Sequence, residues 1–127
     1  MYKLAFCDDD KTLINYIKTV IEREFSVNNL ETFSKLFSSG TSLLKAIERG
    51  ERFDVYFLDI SMPVIDGICI GTTIRNSIND TNFAIVYISE KEEKIFDSLK
   101  NSPLYFIRKN DMHIISKLLI FIFFSNI

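Results

Sequence analysis

The feature that most constrains the fold is the stretch 53–67, in which a short apolar segment stops abruptly at an acid. Residues 55–58 are β-branched and aromatic, which is typical of a strand buried on both faces and too short for a helix. Asp59 follows directly, at the carboxyl edge where open α/β sheets place their ligands. Pro63 and Gly67 then predict a loop, because proline cannot continue a strand ladder and glycine tolerates positive φ. Asp59 is therefore the predicted chemical centre.

Strand-like and helix-like patterns alternate along the whole chain. Besides the central segment, apolar runs predict strands at residues 4–7, 30–37, 83–88 and 104–107. Apolar residues spaced by three and four predict helices within 11–25, 43–50, 66–78 and 90–100, and from 111 onward. Five strands alternating with five helices favour parallel strands joined by helical crossovers. The 127 residues suffice for one domain with a core and leave no room for a second.

The charge balance argues against a nucleic-acid-binding surface on this chain. Its formal net charge is -2, whereas phosphate backbones are held by clustered Lys and Arg. The amino terminus lacks the apolar run and cleavage site of a signal peptide. The most apolar late segment, 118–124, is too short for a membrane span of about 20 residues. We therefore expect a cytoplasmic protein that contacts neither membrane nor nucleic acid directly.

The two cysteines, Cys7 and Cys69, lie in apolar sequence surroundings without a metal-like spacing. In a reducing compartment they are predicted to be free thiols. We expect both to pack as small hydrophobic side chains.

Polar side chains follow four of the predicted strands and should meet at one edge of the sheet. Asp8 and Asp9 follow the first strand, Asp59 the third, Ser89 the fourth and Lys109 the fifth. Converging carboxylates repel unless a hard cation lies between them, and oxygen ligands of this kind suit Mg²⁺. A carboxylate beside such an ion can attack a phosphoryl group, while a lysine ammonium offsets the charge on the phosphoryl oxygens. The pattern therefore predicts aspartyl-phosphate chemistry.

This pattern resembles the receiver domain of two-component response regulators over essentially the full chain. The resemblance implies a flavodoxin-like, doubly wound, five-stranded parallel sheet of order 2-1-3-4-5 with five helices. It implies that Asp8, Asp9 and Asp59 hold Mg²⁺ together with the backbone carbonyl of Ser61. It also implies that Asp59 accepts phosphate from a sensor histidine kinase.

The same resemblance assigns the remaining site residues. Ser89 matches the Ser/Thr that moves toward the phosphate, Phe106 the aromatic switch residue, and Lys109 the lysine of the site. Residues 1–127 would then form a phosphorylated signalling domain rather than an enzyme acting on other substrates. Its output would be self-association through the fourth and fifth helices, or control of an output domain that this chain does not contain.

Several short sequence motifs are similar to those of receivers whose output is a LytTR DNA-binding domain. The similar segments are residues 36–44, residues 58–63 and residues 106–109. In the last of these, the absence of a following proline is also similar to that subgroup. This similarity implies that the output is transcription regulation.

Three positions depart from the family pattern. Asn110 stands where many receivers have a proline whose cis bond helps to aim the lysine, and a cis bond before Asn would cost about 2.5–4 kcal/mol. Phe106 lacks the hydroxyl of the commoner tyrosine, so its burial on activation would be purely apolar. Glu90 is bulky and acidic where the family often has a small residue. The resemblance implies that Glu90, Lys91 and Ser61 tune access to the phosphate and its lifetime.

Other functions also fit parts of the sequence. Residues 8–12 contain the D-x-D-x-T motif of haloacid dehalogenase-like phosphatases, in which Asp8 would be the nucleophile and Asp10 the acid/base. That interpretation leaves Asp59 unexplained and lacks a late acidic metal motif. A receiver-like interaction module without phosphorylation is a further alternative, although the acids and Lys109 are all present. One of the three acids at 8–10, Asp9 or Asp10, can also serve as an ordinary N-terminal cap of the helix that follows.

The closing segment, 114–127, is apolar on both sides. Ile114 and Leu118 can face a core, yet Phe121 and Phe124 leave the opposite side apolar as well. An apolar terminal helix of this kind usually has a partner. This surface could be covered either by a second copy of the chain or by a second domain, and the sequence favours neither alternative.

Overall fold

Five strands and three helices are formed by the described residues, which are 1–78, 82–89, 99, 103 and 105–109 of the computed structural model. The strands are β1 (Tyr2–Cys7), β2 (Thr32–Phe37), β3 (Val55–Asp59), β4 (Ala84–Ser89) and β5 (Tyr105–Arg108). The helices are α1 (Lys11–Val27), α2 (Gly40–Glu48) and α3 (Gly67–Ser77). All strand pairs are parallel, in the order β2-β1-β3-β4-β5. The predicted flavodoxin-like sheet is thus confirmed for the order 2-1-3-4, with β5 beside β4. The segments predicted as the fourth and fifth helices lie outside the described residues.

The central strands β1, β3 and β4 are largely buried on both faces, because alternate residues point to opposite sides of the sheet and helices cover both sides. The face covered by α1 is formed by Leu4, Phe6, Val55, Phe57, Val86 and Ile88, against Ile14, Ile17, Ile21 and Phe25. The face covered by α2 and α3 includes Ala5, Cys7, Tyr56, Leu58, Ile85 and Tyr87, against Leu43, Ile47, Ile70 and Ile74. Register places Phe6 beside Phe57, and their rings stack with centroids 4.7 Å apart.

Each described helix begins at a side chain that accepts a hydrogen bond from the backbone N–H three residues later. Asp10, Ser39 and Asp66 do so at 3.1, 3.2 and 2.8 Å, respectively. The first cap is therefore Asp10 and not Asp9, which were both candidates. None of the helices formed by described residues is long and apolar enough to cross a membrane.

The cysteines are both free thiols, as predicted, but only one of them packs as a hydrophobic side chain. Cys7 is buried in β1, whereas Cys69 is exposed on α3. The prediction that Cys69 would be packed in the core is wrong. Because helical residues are about 100° apart, burying Ile68, Ile70 and Ile74 turns position 69 toward solvent.

Candidate functional site

The parallel strands bring three buried polar side chains to one edge of the sheet. Asp8 follows β1 directly, Asp59 is the last residue of β3, and Ser89 is the last residue of β4. Their exposed fractions are 2%, 1% and 0%, respectively. Because polar groups are seldom buried without a partner or a function, their joint burial marks this edge as the candidate site.

Hydrogen bonds around β1 hold Asp8 in place. The backbone N–H of Asp8 donates to the carbonyl of Phe37 at 3.1 Å. One carboxylate oxygen, Oδ1, accepts the backbone N–H of Asp10 at 2.9 Å. Asp10 itself caps α1. The capping function therefore belongs to Asp10, and it leaves the other oxygen of Asp8 and the whole carboxylate of Asp9 available.

Three carboxylates and one ammonium group meet at this edge. Oxygen atoms of Asp8, Asp9 and Asp59 lie within 4.8 Å of one another, with Asp9 exposed and the other two buried. The Nζ atom of Lys109 lies 3.3 Å from Oδ1 of Asp59 and 3.9 Å from Oδ2 of Asp8. From the sequence, Lys109 could be placed after the last strand but not relative to the acids. The structure shows that its ammonium group lies close to both Asp8 and Asp59.

Apart from their ion pairs with Lys109, several oxygens of this cluster accept no well-aligned hydrogen bond from the described residues. They are Oδ2 of Asp8 and both oxygens of Asp59. Buried carboxylate oxygens in this condition are unfavourable unless a cation or a donor satisfies them. A set of hard oxygen donors within this distance fits a hard divalent cation such as Mg²⁺ or Mn²⁺.

Burial and crowding shift the titration of both buried acids. The pKa of Asp59 is raised from 3.8 to about 7, chiefly by burial and also by the charge of Asp8, while Lys109 and the backbone N–H of Ser61 oppose the rise. Burial likewise raises the pKa of Asp8, opposed by the backbone N–H of Asp10 and by Lys109. The folded chain therefore holds two carboxylates that are more basic than ordinary ones, and one lysine does not neutralise both.

The loop between β3 and α3 closes back onto Asp59. Gly67 N–H donates to the carbonyl of Ile60 at 2.9 Å, and Ile60 N–H donates to Ile88 in β4 at 3.0 Å. A Cβ atom at Gly67 would overlap the carbonyl oxygen of Asp59. Gly67 does not adopt the positive φ for which the sequence suggested it, since the positive φ of this loop lies at Val64; glycine is needed here because the chain approaches Asp59 closely. Ser61 lies exposed in this loop.

Some predicted site residues are located only in part. The backbone of Phe106 lies in β5 and pairs with Tyr87 in β4, but its side chain is outside the described part of the chain. Glu90, Lys91 and Asn110 also lie outside the described residues. Their predicted roles stay predictions.

One feature of the site region escaped the sequence reasoning. Val64, in the loop between β3 and α3, has a positive φ of 68° and a side chain that is 99% exposed. The nearby Pro63 and Gly67 indicate a turn there, but valine is among the residues least expected at positive φ. Only the backbone geometry reveals it.

The sequence matches the family described as response regulator receiver domain over residues 4–118. A search of curated protein sequences finds no match to the chain. Among solved structures, the chain is similar to the Mn²⁺-bound response regulator Rcp1, with 12% identity, a TM-score of 0.75, and coverage of 94% of this chain and 91% of the other.

Two further structures show the same fold at low identity. The phosphorylated cyanobacterial phytochrome response regulator RcpA has 19% identity and a TM-score of 0.78, covering 99% of this chain and 96% of the other. The Salmonella typhimurium response regulator RcsB has 15% identity and a TM-score of 0.80, covering 98% of this chain but only 60% of the other. Because the family match spans most of the sequence and the fold agrees, the chain belongs to the receiver domains of response regulators, which are phosphorylation-dependent signalling domains.

Proposed function

We propose that Asp59 is the phosphoacceptor of this receiver domain and takes a phosphoryl group from a phosphohistidine of a sensor histidine kinase. The observation that carries the proposal is the condition of Asp59. It is buried at the carboxyl edge of the sheet, accepts no well-aligned hydrogen bond from the described residues at either oxygen, and lies 3.3 Å from Lys109. Such a carboxylate can act as a nucleophile when nearby positive charge stabilises the phosphoryl oxygens.

Asp8, Asp9 and Asp59 would hold Mg²⁺ through their clustered oxygens, with the carbonyl of Ser61 as a further ligand. When bound, the ion supplies positive charge for the phosphoryl oxygens. Asp8 is fixed for this role because its backbone and Oδ1 are both held by hydrogen bonds.

In the transfer step, an oxygen of Asp59 forms a bond to phosphorus while the P–N bond of the phosphohistidine breaks. The bonding electron pair of the P–N bond stays on the imidazole nitrogen, which takes a proton from solvent. Lys109 offsets charge on the phosphoryl oxygens from its position between the two buried acids. The hydroxyl of Ser89, at the end of the neighbouring strand, then bonds a phosphoryl oxygen.

Phosphorylation of Asp59 would change the surface formed by the fourth and fifth helices. Ser89 moves toward the phosphate and Phe106 repacks, so that a surface formed by the fourth and fifth helices changes its affinity for a second copy or for an output domain. The output we propose is a LytTR DNA-binding domain acting in transcription regulation. Ser61, Glu90 and Lys91 would tune the lifetime of the phosphate. These steps rest on the family resemblance of the sequence.

The direct test is incubation with Mg²⁺ and a small phosphodonor, or with a phosphorylated kinase, followed by intact-mass analysis and peptide mapping. We expect one phosphoryl group on Asp59 and none on Asp59→Asn. Asp54→Asn is a matched control immediately before the start of the same strand, where the asparagine oxygen can still accept the backbone N–H of Lys3. That control is expected to be labelled like the wild type.

Three outcomes would redirect the interpretation. Label on Asp8 that turns over rapidly would indicate the phosphatase alternative. Absence of any adduct with a competent kinase would leave an interaction module without phosphorylation. An adduct that survives Asp59→Asn would refute Asp59 as the acceptor.

A further inference from the structure

The outer edge of β2 carries backbone groups that pair with no other strand of the described sheet. At the two ends of β2, the carbonyls of Glu31 and Phe37 accept the backbone N–H groups of Tyr2 and Asp8, at 2.9 and 3.1 Å. Because the backbone groups of successive residues point to opposite edges of a strand, the odd-numbered residues of β2 bond to β1. The backbone groups that point away from the sheet are those of Thr32, Ser34 and Leu36.

This edge lacks the features by which edge strands usually avoid pairing. The six residues of β2 pair with β1 in an unbroken register, so the strand has no bulge, and it contains no proline. Its one charged residue, Lys35, lies 2.7 Å from Glu51 of the same chain. Phe33 is 52% exposed and Leu36 is 38% exposed. A regular edge with exposed apolar side chains is a template for a further strand.

The sequence of this edge is complementary to itself. A second copy of the chain can add its own β2 antiparallel to the first, about a two-fold axis perpendicular to the sheet. If the axis passes at Phe33, the two Phe33 side chains lie opposite each other, and Glu31 lies opposite Lys35 of the second copy. On the other face of the sheet, Thr32 lies opposite Ser34 of the second copy. Aromatic, opposite-charge and hydroxyl pairs of this kind stabilise antiparallel strands.

The neighbouring registers do not match in this way. An axis at Ser34 sets Phe33 against Lys35 of the second copy. An axis at Lys35 sets two ammonium groups against each other, and like charges in that position are destabilising. An axis at Thr32 sets the apolar ring of Phe33 against the carboxylate of Glu31. Complementarity in one symmetric register favours a second copy of this chain over an unrelated strand.

The matched register also uses the backbone groups that point outward. Thr32 exchanges two hydrogen bonds with Ser34 of the second copy, and the axis repeats this pair. Phe33 falls in a pair without hydrogen bonds, in which the Cα atoms are only about 4.5 Å apart. We propose that two copies of the chain associate through the outer edge of β2 into one continuous sheet. This surface differs from that of the fourth and fifth helices, and the inference does not depend on phosphorylation.

The first test is sedimentation equilibrium of the full chain without Mg²⁺ or phosphodonor. The proteins are the wild type, Glu31→Lys, Lys35→Glu and Glu48→Lys. We expect a wild-type dimer whose dissociation constant rises at least about tenfold in each of the first two variants, because the axis sets like charges opposite each other twice. Glu48→Lys is a matched charge reversal, exposed on α2 beside the groove to α3, and should stay within about twofold of wild type.

Mixing the two seam variants separates pairing across the axis from any effect within one chain. In an equimolar mixture of Glu31→Lys and Lys35→Glu, each seam pair joins one acid and one base. We therefore expect a heterodimer whose dissociation constant is within about threefold of the wild-type value. Loss of the bond between Lys35 and Glu51 within one chain would not be repaired by mixing.

Cysteine cross-linking tests the register itself. In a Cys69→Ser background, which removes the exposed native thiol, Phe33→Cys would place two thiols beside the axis, where the Cα separation suits a disulfide. Leu36→Cys is the matched control, exposed on the same strand but away from the axis. Under a mild oxidant, we expect Phe33→Cys to form a linked dimer at least about fivefold faster than Leu36→Cys.

A wild-type chain that stays monomeric at its highest soluble concentration would overturn the proposal. A dimer that both seam variants preserve would place the association on another surface and overturn it as well. The same holds if both variants are folded by circular dichroism and their mixture does not associate. Equal cross-linking rates at positions 33 and 36 would refute the register, and this comparison decides the matter if a seam variant fails to fold. Phosphorylation of Asp59 is tested separately by mass analysis, so the two proposals can fail independently.

Discussion

The substitution Asp59→Asn is expected to stabilise the fold in the absence of divalent cations, although it removes the proposed phosphoacceptor. Burial, together with the charge of Asp8 and against the effect of Lys109, raises the pKa of Asp59 from 3.8 to about 7. In the unfolded chain the carboxylate returns to its ordinary range, so above the folded pKa the ionised form disfavours the folded state. Asparagine has nearly the same shape and carries no charge.

The sign of the pH dependence follows from proton binding. Between about pH 4 and pH 7 the folded state keeps a proton on Asp59 that the unfolded state releases, so wild-type stability falls as pH rises through this window. Below it, both states are protonated and the penalty is absent. Burial also raises the pKa of Asp8, which adds to the same slope.

The magnitude can be worked from the same shift. At roughly 1.4 kcal/mol per pKa unit, the charge on Asp59 destabilises the folded state by about 4 kcal/mol at about pH 8.5, and by less than half of that at about pH 5. The substitution Asp59→Asn also removes the carboxylate 3.3 Å from Lys109, which retains Asp8 at 3.9 Å. The pKa of about 7 already includes the attraction of Lys109, so we expect a net stabilisation of up to about 4 kcal/mol at about pH 8.5.

Urea denaturation of both proteins in a chelating agent, at the two pH values, measures this difference directly. Added Mg²⁺ should then stabilise the wild type more than Asp59→Asn, because a ligand that binds only the folded state raises its stability with concentration. Asp54→Asn serves as the control and should show neither effect. If Asp59→Asn is no more stable than wild type at high pH, the electrostatic reasoning is refuted.

Three further changes have expected outcomes. Gly67→Ala should lower the free energy of unfolding by about 3 kcal/mol in urea denaturation and slow phosphorylation, because its Cβ would overlap the carbonyl of Asp59; an unchanged stability would contradict the close approach. Asp10→Ala should lower the free energy of unfolding by about 1 kcal/mol, because the hydrogen bond from Leu13 N–H is lost. Asp10→Asn should leave the free energy of unfolding unchanged, because asparagine is an equally good cap. Lys109→Gln should lower labelling from phosphoramidate at least about tenfold, because the ammonium beside Asp59 is lost; a wild-type rate would exclude its charge from the transfer step.

The position of the acids could be predicted from the sequence because it depends on where the apolar strand segments end and on the parallel order of the strands. Apolar runs at 4–7 and 55–58 identify buried strands, and parallel topology places the residues that follow them at one edge. The structure confirms this for Asp8 and Asp59. The starts of α2 and α3 could also be predicted from the sequence, because Ser39 and Asp66 are residue types preferred at the N-cap.

What the sequence could not supply depends on side-chain direction and on local backbone angles. Which acid of residues 8–10 caps α1 is decided by the angle at which the chain leaves β1, and it is Asp10. The exposure of Cys69 depends on the rotation of α3 against the sheet. The positive φ of Val64 runs against the preference of its residue type, so no propensity could indicate it.

The chemistry of Asp59 follows from the same burial that makes it unfavourable. A carboxylate whose pKa is raised to about 7 is a more basic, and hence more nucleophilic, group than an exposed aspartate, provided that it is ionised. Lys109 favours the ionised form but is shared with Asp8, so it offsets only part of the cost. Under the proposed function, a bound cation and then the phosphoryl group would relieve the remaining repulsion. The unfavourable free energy of the crowded carboxylates would then favour binding of the cation, and the fold would be most stable when the site is loaded.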